Sequence, residues 1–435
     1  MYDGKHIIIT AILLLSIASA GGILTRYLKI PYASMLVIIG LFVGIFRIFP
    51  SLNITPYLIY YVFLPVIIFE GAVGIKTRPL ISNILQIGAL SVFGTIISAI
   101  FTGAVFHLVL NFPLKQSLIF GAIITPTDPI SILALLKNRA GKKSGKNIDE
   151  KEDIETLLTG ESLFNDGISL VLFEVFLGLN LHGVAMHTTD SFFLKWGSNM
   201  FYYILGIIKT SAFEFLYKSI GGSILGIVLG YSVSLILSLA NDFLTEIMIS
   251  LLLAYASLIT AYYLHMSFIM AVIFSGIVLA NYGFKKKVSN RTLEVFPVVA
   301  EYLTFIVNSI LFLIIGIEIN LFKILDIWVI SLFIIALSIF SRFIGVYLIS
   351  PLANIIKNRF KIFSDGLTLN KEYKRFLVFG GLKGALPVAM ALSLPLNLHL
   401  RSEIISYVFI VVLFSLTIQA ISFDFFIKKG YKSNI

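Results

Sequence analysis

The chain has 435 residues, 58% hydrophobic and 13% charged, with 33 Lys and Arg against 23 Asp and Glu and no cysteine. Soluble domains carry about 25% charged and 45–50% apolar residues. This balance therefore excludes a large soluble enzyme, a disordered chain and a disulfide-stapled secreted fold. Without cysteine there is no thiolate catalyst and no Cys-ligated zinc or iron–sulfur site. The net charge of +10 lies mostly in loops on one side of a membrane, so it does not point to nucleic acid.

A membrane-crossing helix takes about 20 apolar residues. Thirteen hydrophobic segments follow in chain order, near 6–24, 31–49, 57–75, 83–110, 114–136, 156–179, 216–239, 245–263, 267–283, 297–321, 326–350, 375–394 and 403–427. They are too long and too uniformly apolar for barrel strands, which alternate, so an all-α polytopic membrane protein is expected. Ile7–Ala18 followed by Ala18-Ser19-Ala20 has the outline of a signal peptide. Its basic flank is only Lys5 beside Asp3, and the apolar run continues through Ile23-Leu24, so a retained first helix is expected. In residues 181–210, Asp190, Lys195 and Lys209 interrupt an aromatic-rich stretch, and a loop with an interfacial helix is expected there. Residues 137–155 and 351–374 read as charged cytoplasmic connectors.

Thirteen spans place the termini on opposite sides, and Lys and Arg set the orientation. One set of loops, from Arg26 and Lys29 to the tail at Lys428, holds 23 basic residues; the opposite set holds 8. The basic-rich side is expected to be cytoplasmic, with the N-terminus outside, the C-terminus inside and the protein in the cell membrane.

Ionisable residues inside spans are costly and point to function. Here they are Glu70, Asp128, Glu161, Asp166, Glu174, Glu318, Arg342 and Lys383. Glu161, Ser162, Asn165 and Asp166 share one helix arc of about 140°. Two carboxylates, a hydroxyl and an amide on one face are oxygen donors of the kind that hard cations prefer. Interhelical polar glue would explain the serine and asparagine, but not two carboxylates one turn apart. In Thr125-Pro126-Thr127-Asp128-Pro129 the prolines cannot donate backbone hydrogen bonds, so the helix is expected to break beside Asp128. Gly380-Gly381-Leu382-Lys383-Gly384-Ala385-Leu386-Pro387 is a second interrupted span, seven spans later. Paired interrupted spans point to a transporter with inverted repeats, and an odd spacing reverses the membrane direction as such repeats require. Lys383 is expected to neutralise the partial negative end of a broken half-helix. Arg342, in mid-span, needs a carboxylate, and Glu161 is the expected partner. Glu70 sits late in the third span. Glu174 and Glu318 are expected to face an interface or a span end, and the six histidines show no ligand spacing.

Together, Phe69-Glu70-Gly71, Thr127-Asp128-Pro129, Gly160-Glu161-Ser162 through Asn165-Asp166, Ser341-Arg342 through Tyr347 and Gly380-Gly381-Leu382-Lys383-Gly384-Ala385 resemble the electroneutral sodium/proton antiporters of bacteria and archaea and the related eukaryotic sodium/hydrogen exchangers. The resemblance covers nearly the whole chain. It implies one transmembrane antiporter domain over 1–435, with a first six-helix repeat over about 1–180, a linker and seventh helix over about 181–239, and an inverted second repeat over about 240–435. It also implies two unwound crossing helices, an ion-translocating domain, a separate interface domain and a homodimer in membrane lipid. Asp166 would be the essential carboxylate for cation and proton. Glu70, Thr127 and Ser162 would be further ion-site positions, with Asn165 and Asp128 ordering the site, and Glu161 with Arg342 a structural ion pair. Many relatives carry arginine where this chain has Lys383, which keeps the charge but loses the planar fork.

Low dielectric disfavours a bare carboxylate. Asp166 is therefore expected to be either protonated or neutralised by Na+ or Li+, and that competition couples the two fluxes without a cofactor. Asn165 stands where electrogenic relatives have a second aspartate, so electroneutral exchange is expected. K+/H+ exchange on the same scaffold and a cation channel are the alternatives. An intramembrane aspartyl protease is disfavoured, because Asp128 lies between Thr127 and Pro129 rather than in a Gly-x-Gly-Asp motif. An acidic cluster would likewise repel organic anions.

Overall fold

In lipid, a backbone must satisfy its own polar groups, and long apolar runs leave the helix as the local solution. Every regular element among the described residues of the computed structural model is a helix. The structure describes residues 4–28, 30–46, 56–128, 148–179, 198–240, 242–286, 288–318, 328–359 and 366–423. Pro129, most of the connector 137–155 and the tail from Lys428 lie outside them.

The first four helices are α1 (Gly4–Leu28), α2 (Tyr32–Ile45), α3 (56–73) and α4 (Thr77–Leu110). They are followed by α5 (Leu114–Ile124), α6 (Ile148–Gly178), α7 (Ser198–Leu237) and α8 (Phe243–Tyr263). The remainder are α9 (268–286), α10 (Asn290–Glu318), α11 (Trp328–Arg359), α12 (Lys371–Phe379), α13 (Ala385–Leu392) and α14 (Arg401–Phe423). Six helical stretches among the described residues are long and apolar enough to cross a membrane: Thr77–Leu110, Gly206–Leu237, Phe243–Tyr263, Asn290–Glu318, Trp328–Arg359 and Arg401–Phe423.

Local chemistry sets the boundaries. Pro31 and Pro113 precede α2 and α5, where a missing N–H leaves no helical bond unmade. Asp242 caps α8 by accepting from the N–H groups of Leu244 at 2.8 Å and Thr245 at 3.1 Å, and Asn370 caps α12 through the N–H of Tyr373 at 2.9 Å. Asn111 closes α4 in the left-handed region, at φ 54°, where asparagine is better tolerated than bulkier residues. Wide π-type turns interrupt α3, α4, α9 and α14 over Ile59–Phe63, Leu90–Gly94, Leu279–Gly283 and Ser415–Gln419. Such turns insert one residue into the helical ladder and re-aim the side chains after it.

Small residues bring the helices together where lipid offers no hydrophobic drive. Gly40 of α2 faces Gly316 of α10 so closely that a Cβ on Gly316 would collide with the carbonyl of Val37. Gly345 of α11 lies against Gly94 of α4, and Ser98 donates to the carbonyl of Ser341 at 3.0 Å beside that contact.

Three expectations change. Residues 198–210 are not a separate interfacial helix but the first turns of α7, which is 40 residues long. That is about 60 Å of helix, roughly twice the apolar core of a bilayer, so charged residues and an apolar span share one element. The remainder of the 181–210 stretch, to Gly197, lies outside the described residues. The connector expected at 351–374 is helical up to Arg359. Its far end is stitched to α4: the N–H of Leu367 donates to Asn83 at 2.7 Å, and Gln86 donates to the carbonyl of Leu367 at 2.8 Å. Similarly, Ile148–Glu155, read as connector, forms the first turns of α6. Charge marks solvent, not the end of a helix, and α6 and α11 both run past the apolar boundary.

Candidate functional site

The site forms where α5 and α12 stop. Pro126 has no N–H, α5 ends at Ile124, and Thr125 closes it with a tighter bond from its N–H to the carbonyl of Ala122 at 3.3 Å. Residues 125–128 run on without helix. In the other interrupted span, α12 ends at Phe379, and α13 starts at Ala385 after a glycine-rich extended stretch. The two extended stretches satisfy each other: the N–H of Asp128 donates to the carbonyl of Leu382 at 2.7 Å. Gly384 permits that approach, since a Cβ there would sit 2.8 Å from the Cβ of Asp128.

Lys383 is buried at this crossing, 4% exposed. Its Nζ donates to the carbonyl of Thr125 at 3.2 Å, the negative end of α5. Its own N–H donates to Ser415 at 2.8 Å, inside the wide turn of α14. Ser415 in turn donates to Gln419 at 3.0 Å, and Gln419 donates to the carbonyl of Phe379 at 3.1 Å. The backbone of both breaks is thus held by side chains rather than by lipid-exposed irregular chain.

The α6 face lies against the first break. Asp166 Oδ1 accepts from the N–H of Thr127 at 3.2 Å. The Ser162 hydroxyl donates to the carbonyl of Thr127 and accepts from its hydroxyl at 3.2 Å. Asn165 has every valence used. Its Nδ2 donates to the carbonyl of Thr125 at 3.2 Å and to Thr127 Oγ1 at 3.0 Å, while its Oδ1 accepts from Thr95 at 2.7 Å and Ser169 at 3.2 Å. One turn earlier, Glu161 and Arg342 form a two-pronged pair at 2.6 and 2.7 Å, with side chains 3% and 8% exposed. Arg342 Nε also donates to the carbonyl of Leu377 at 3.2 Å, anchoring α12 just before its break.

A cavity of about 200 Å³ opens onto these groups. Of the residues the sequence marks, Glu70, Thr127, Asp128 and Asp166 line it. Ser162, Asn165, Glu161, Arg342 and Lys383 stand behind its wall, bonded as above. Thr156, Thr159, Glu155, Glu152 and Lys76 line it toward the start of α6, where Lys76 pairs with Glu152 at 2.5 Å. Near the far end of α6, Glu174 instead pairs with Lys218 of α7 at 2.8 Å, and Lys218 also meets Glu214 at 2.9 Å. Tyr60 of α3 bonds Ser393, just past α13, at 3.3 Å.

Sequence reasoning missed Thr95, Ser415 and Asn308. Thr95 belongs to a stripe of hydroxyls at helical spacing in α4, Ser91, Thr95, Ser98 and Thr102, and Ser415 precedes Thr417 and Gln419 in α14. Such residues also serve as interhelical glue, so neither pattern marks an ion site, and the wide turns beside them are invisible in sequence. Asn308 is the one amide in the apolar stretch of α10, whose other asparagine, Asn290, starts the helix, and among the described residues it is the polar residue that helix gives the cavity lining.

Interrupted helices crossing within an all-helical membrane protein, with carboxylates on the wall of a cavity beside them, form the pattern from which secondary transporters build ion sites. The profile of the family described as "Sodium/hydrogen exchanger, transmembrane" matches residues 12–429, and the chain belongs to that family. It is 28% identical to the Na(+)/H(+) antiporter NhaH of Halobacillus aidingensis, over 99% of both chains. It is 31% identical to the low-affinity Na(+)/H(+) antiporter NhaS1 of Synechocystis sp., over 98% of this chain and 75% of that protein. The solved structure of the sodium proton antiporter MjNhaP1 from Methanocaldococcus jannaschii at pH 8 shares the fold, with TM-score 0.70 and 20% identity over 95% of this chain and 96% of that one.

Proposed function

We propose that the protein is a secondary transporter that exchanges Na+ or Li+ for H+ across the cell membrane, electroneutrally, by competition at Asp166. The observation that carries this reading is the place of Asp166. It lines the cavity, while Asn165 beside it is tied by four hydrogen bonds and Glu161 is matched by Arg342. Asp166 accepts from the N–H of Thr127 and keeps further lone-pair positions for a proton or a monovalent cation. Taking one excludes the other, so each passage carries one positive charge in either direction. Glu70, Thr127 and Asp128 supply further oxygens on the wall. Ser162 and Asn165 hold the backbone of residues 125–127 in place, and Lys383 offsets the negative end of α5. NhaH and NhaS1, both named Na(+)/H(+) antiporters, support the choice of substrates.

The same reading takes the chain as thirteen spans in two inverted six-helix repeats, about 1–180 and 240–435, joined by a linker and α7 over about 181–239. The N-terminus is outside and the C-terminus cytoplasmic, and the protein acts as a homodimer in lipid. The cavity lining extends to Lys76 and Glu152, at the start of α6 beside the basic-rich loops, which supports reading this conformation as facing the cytoplasm. Toward the far end of α6, the Glu174–Lys218 and Tyr60–Ser393 contacts bridge the site helices to α7 and α3, and in this reading they form the outer gate.

The test is exchange in proteoliposomes with an imposed pH gradient, a pH-sensitive dye and a clamped membrane potential. Addition of Na+ or Li+ should collapse the gradient at any potential, and the Asp166→Asn variant should not respond. Conductance without proton coupling would overturn the reading in favour of a channel. A response to K+ alone would transfer the same mechanism to K+/H+ exchange.

A further inference from the structure

We propose that Asn308 of α10 is a specificity-determining residue, whose amide oxygen supplies a neutral ligand to the cation in the cavity that Asp166 also lines. The inference rests on the exchange reading above and adds to it a residue from outside the interrupted helices.

Asn308 is 7% exposed, and it lines the same cavity as Asp166, Thr127 and Asp128. No hydrogen bond ties its side chain to a described residue, and its amide is open to the cavity rather than sealed in the protein. Buried amides are normally bonded, because an unmade bond in low dielectric costs stability. On α10, Ser309 follows that rule, whereas the buried hydroxyl of Thr304 is unbonded but lies off the cavity lining. Ser309 donates to the carbonyl of Phe305 at 2.6 Å and meets Tyr32 at 2.8 Å, both away from the cavity. Asn308 is the polar residue that this helix gives the cavity lining, one turn before its apolar neighbour there, Phe312.

The chemistry fits a cation as the missing partner. Oxygen donors suit a hard ion, and an amide oxygen adds coordination without adding charge. The balance of one cation against one proton at Asp166 is therefore undisturbed. The position also suits selectivity. α10 is clamped to α2 through the Gly40–Gly316 contact, so Asn308 is carried into the cavity by an anchored helix. An oxygen held on an anchored helix sets the width of the coordination shell, and that width discriminates ions of the same charge.

The test compares wild type, Asn308→Ala and Asn308→Asp in proteoliposomes, with exchange measured against Na+, Li+ and K+ concentration at fixed pH. Asn308→Ala is expected to raise the KM for Na+ about tenfold and to change the Li+/Na+ KM ratio, with the maximal rate within about twofold of wild type. Asn308→Asp keeps the shape and adds a titratable charge. It is expected to lower the Na+ KM at alkaline pH and to steepen the dependence on pH, and it decides the matter if the alanine variant does not fold. Wild-type exchange with unchanged KM values and ion ratios in both variants would overturn the role of Asn308 and leave the exchange reading standing. A wild type that moves no protons in response to any cation would overturn both.

Discussion

The Glu161–Arg342 pair offers a sharp energetic test of how the site is held. The two groups are bonded through both prongs at 2.6 and 2.7 Å and are almost fully buried. Removing one partner leaves the other charged in a low-dielectric interior, which costs about 3–5 kcal/mol. Glu161→Leu and Arg342→Met should each destabilise the protein by that amount, and independent effects would sum to roughly 6–10 kcal/mol in the double variant. The double variant carries no orphaned charge. Its remaining defect is the carbonyl of Leu377, which loses the Arg342 Nε bond of 3.2 Å. That costs about 1–3 kcal/mol if the carbonyl stays unpaired. The double variant should therefore be more stable than either single one. Unfolding of the purified protein in detergent, followed by tryptophan fluorescence or thermal shift, gives the ranking. Neither residue lines the cavity, so the double variant should also regain exchange in proteoliposomes. Additive losses, or a stable double variant with no exchange, would refute the assignment of the pair to structure rather than transport.

The competition proposed at Asp166 fixes the sign of the expected pH dependence. As pH falls the carboxylate is protonated more of the time, so the apparent KM for Na+ should rise, approaching about tenfold per pH unit on the acid side, while saturating Na+ restores the rate. A KM flat between pH 6 and 8.5 would contradict this. Gly384→Val should push the two crossing stretches apart, because its Cβ would meet that of Asp128 at 2.8 Å. A stability loss of about 1–3 kcal/mol and little residual exchange are expected, read by thermal shift and dye assay. Lys218→Met releases Glu174 and Glu214 together and should loosen the outer closure. The chain has no cysteine, so Ser393→Cys can be labelled selectively. Labelling by a membrane-impermeant maleimide from outside should speed up several-fold in the Lys218→Met background, and an unchanged rate would argue against a gate at this contact.

The site was legible in sequence to the extent that its chemistry is expensive. Carboxylates, a lysine and an arginine inside apolar spans stand out because the membrane makes each costly. Prolines and glycines gave away both interruptions, because they remove backbone bonds that helices need. The Glu161–Arg342 contact could be expected because a buried arginine requires a carboxylate. What stayed hidden was cheap or geometric. Thr95 and Ser415 are ordinary hydroxyls whose direction depends on wide turns, and nothing in composition marks a one-residue bulge. Asn308 resembles any polar residue in a membrane helix until the cavity beside it is seen. Helix ends were misread where charge was taken for a break: α6, α7 and α11 all continue into charged sequence, because a helix needs no apolar face once it reaches water. The division between loop-side and span-side residues in α7 was illegible for the same reason.

The central claim is that one carboxylate serves cation and proton in turn. Equilibrium titration tests it without any gradient or vesicle. The purified protein would be titrated with Na+ at constant pH in buffers of differing protonation enthalpy, so that calorimetry counts the protons released. The account predicts close to one proton released per Na+ bound near the acid end of the active range, falling toward zero at alkaline pH, with neither binding nor release in Asp166→Asn. Na+ binding with no proton release at any pH, or undiminished coupled release from Asp166→Asn, would contradict it.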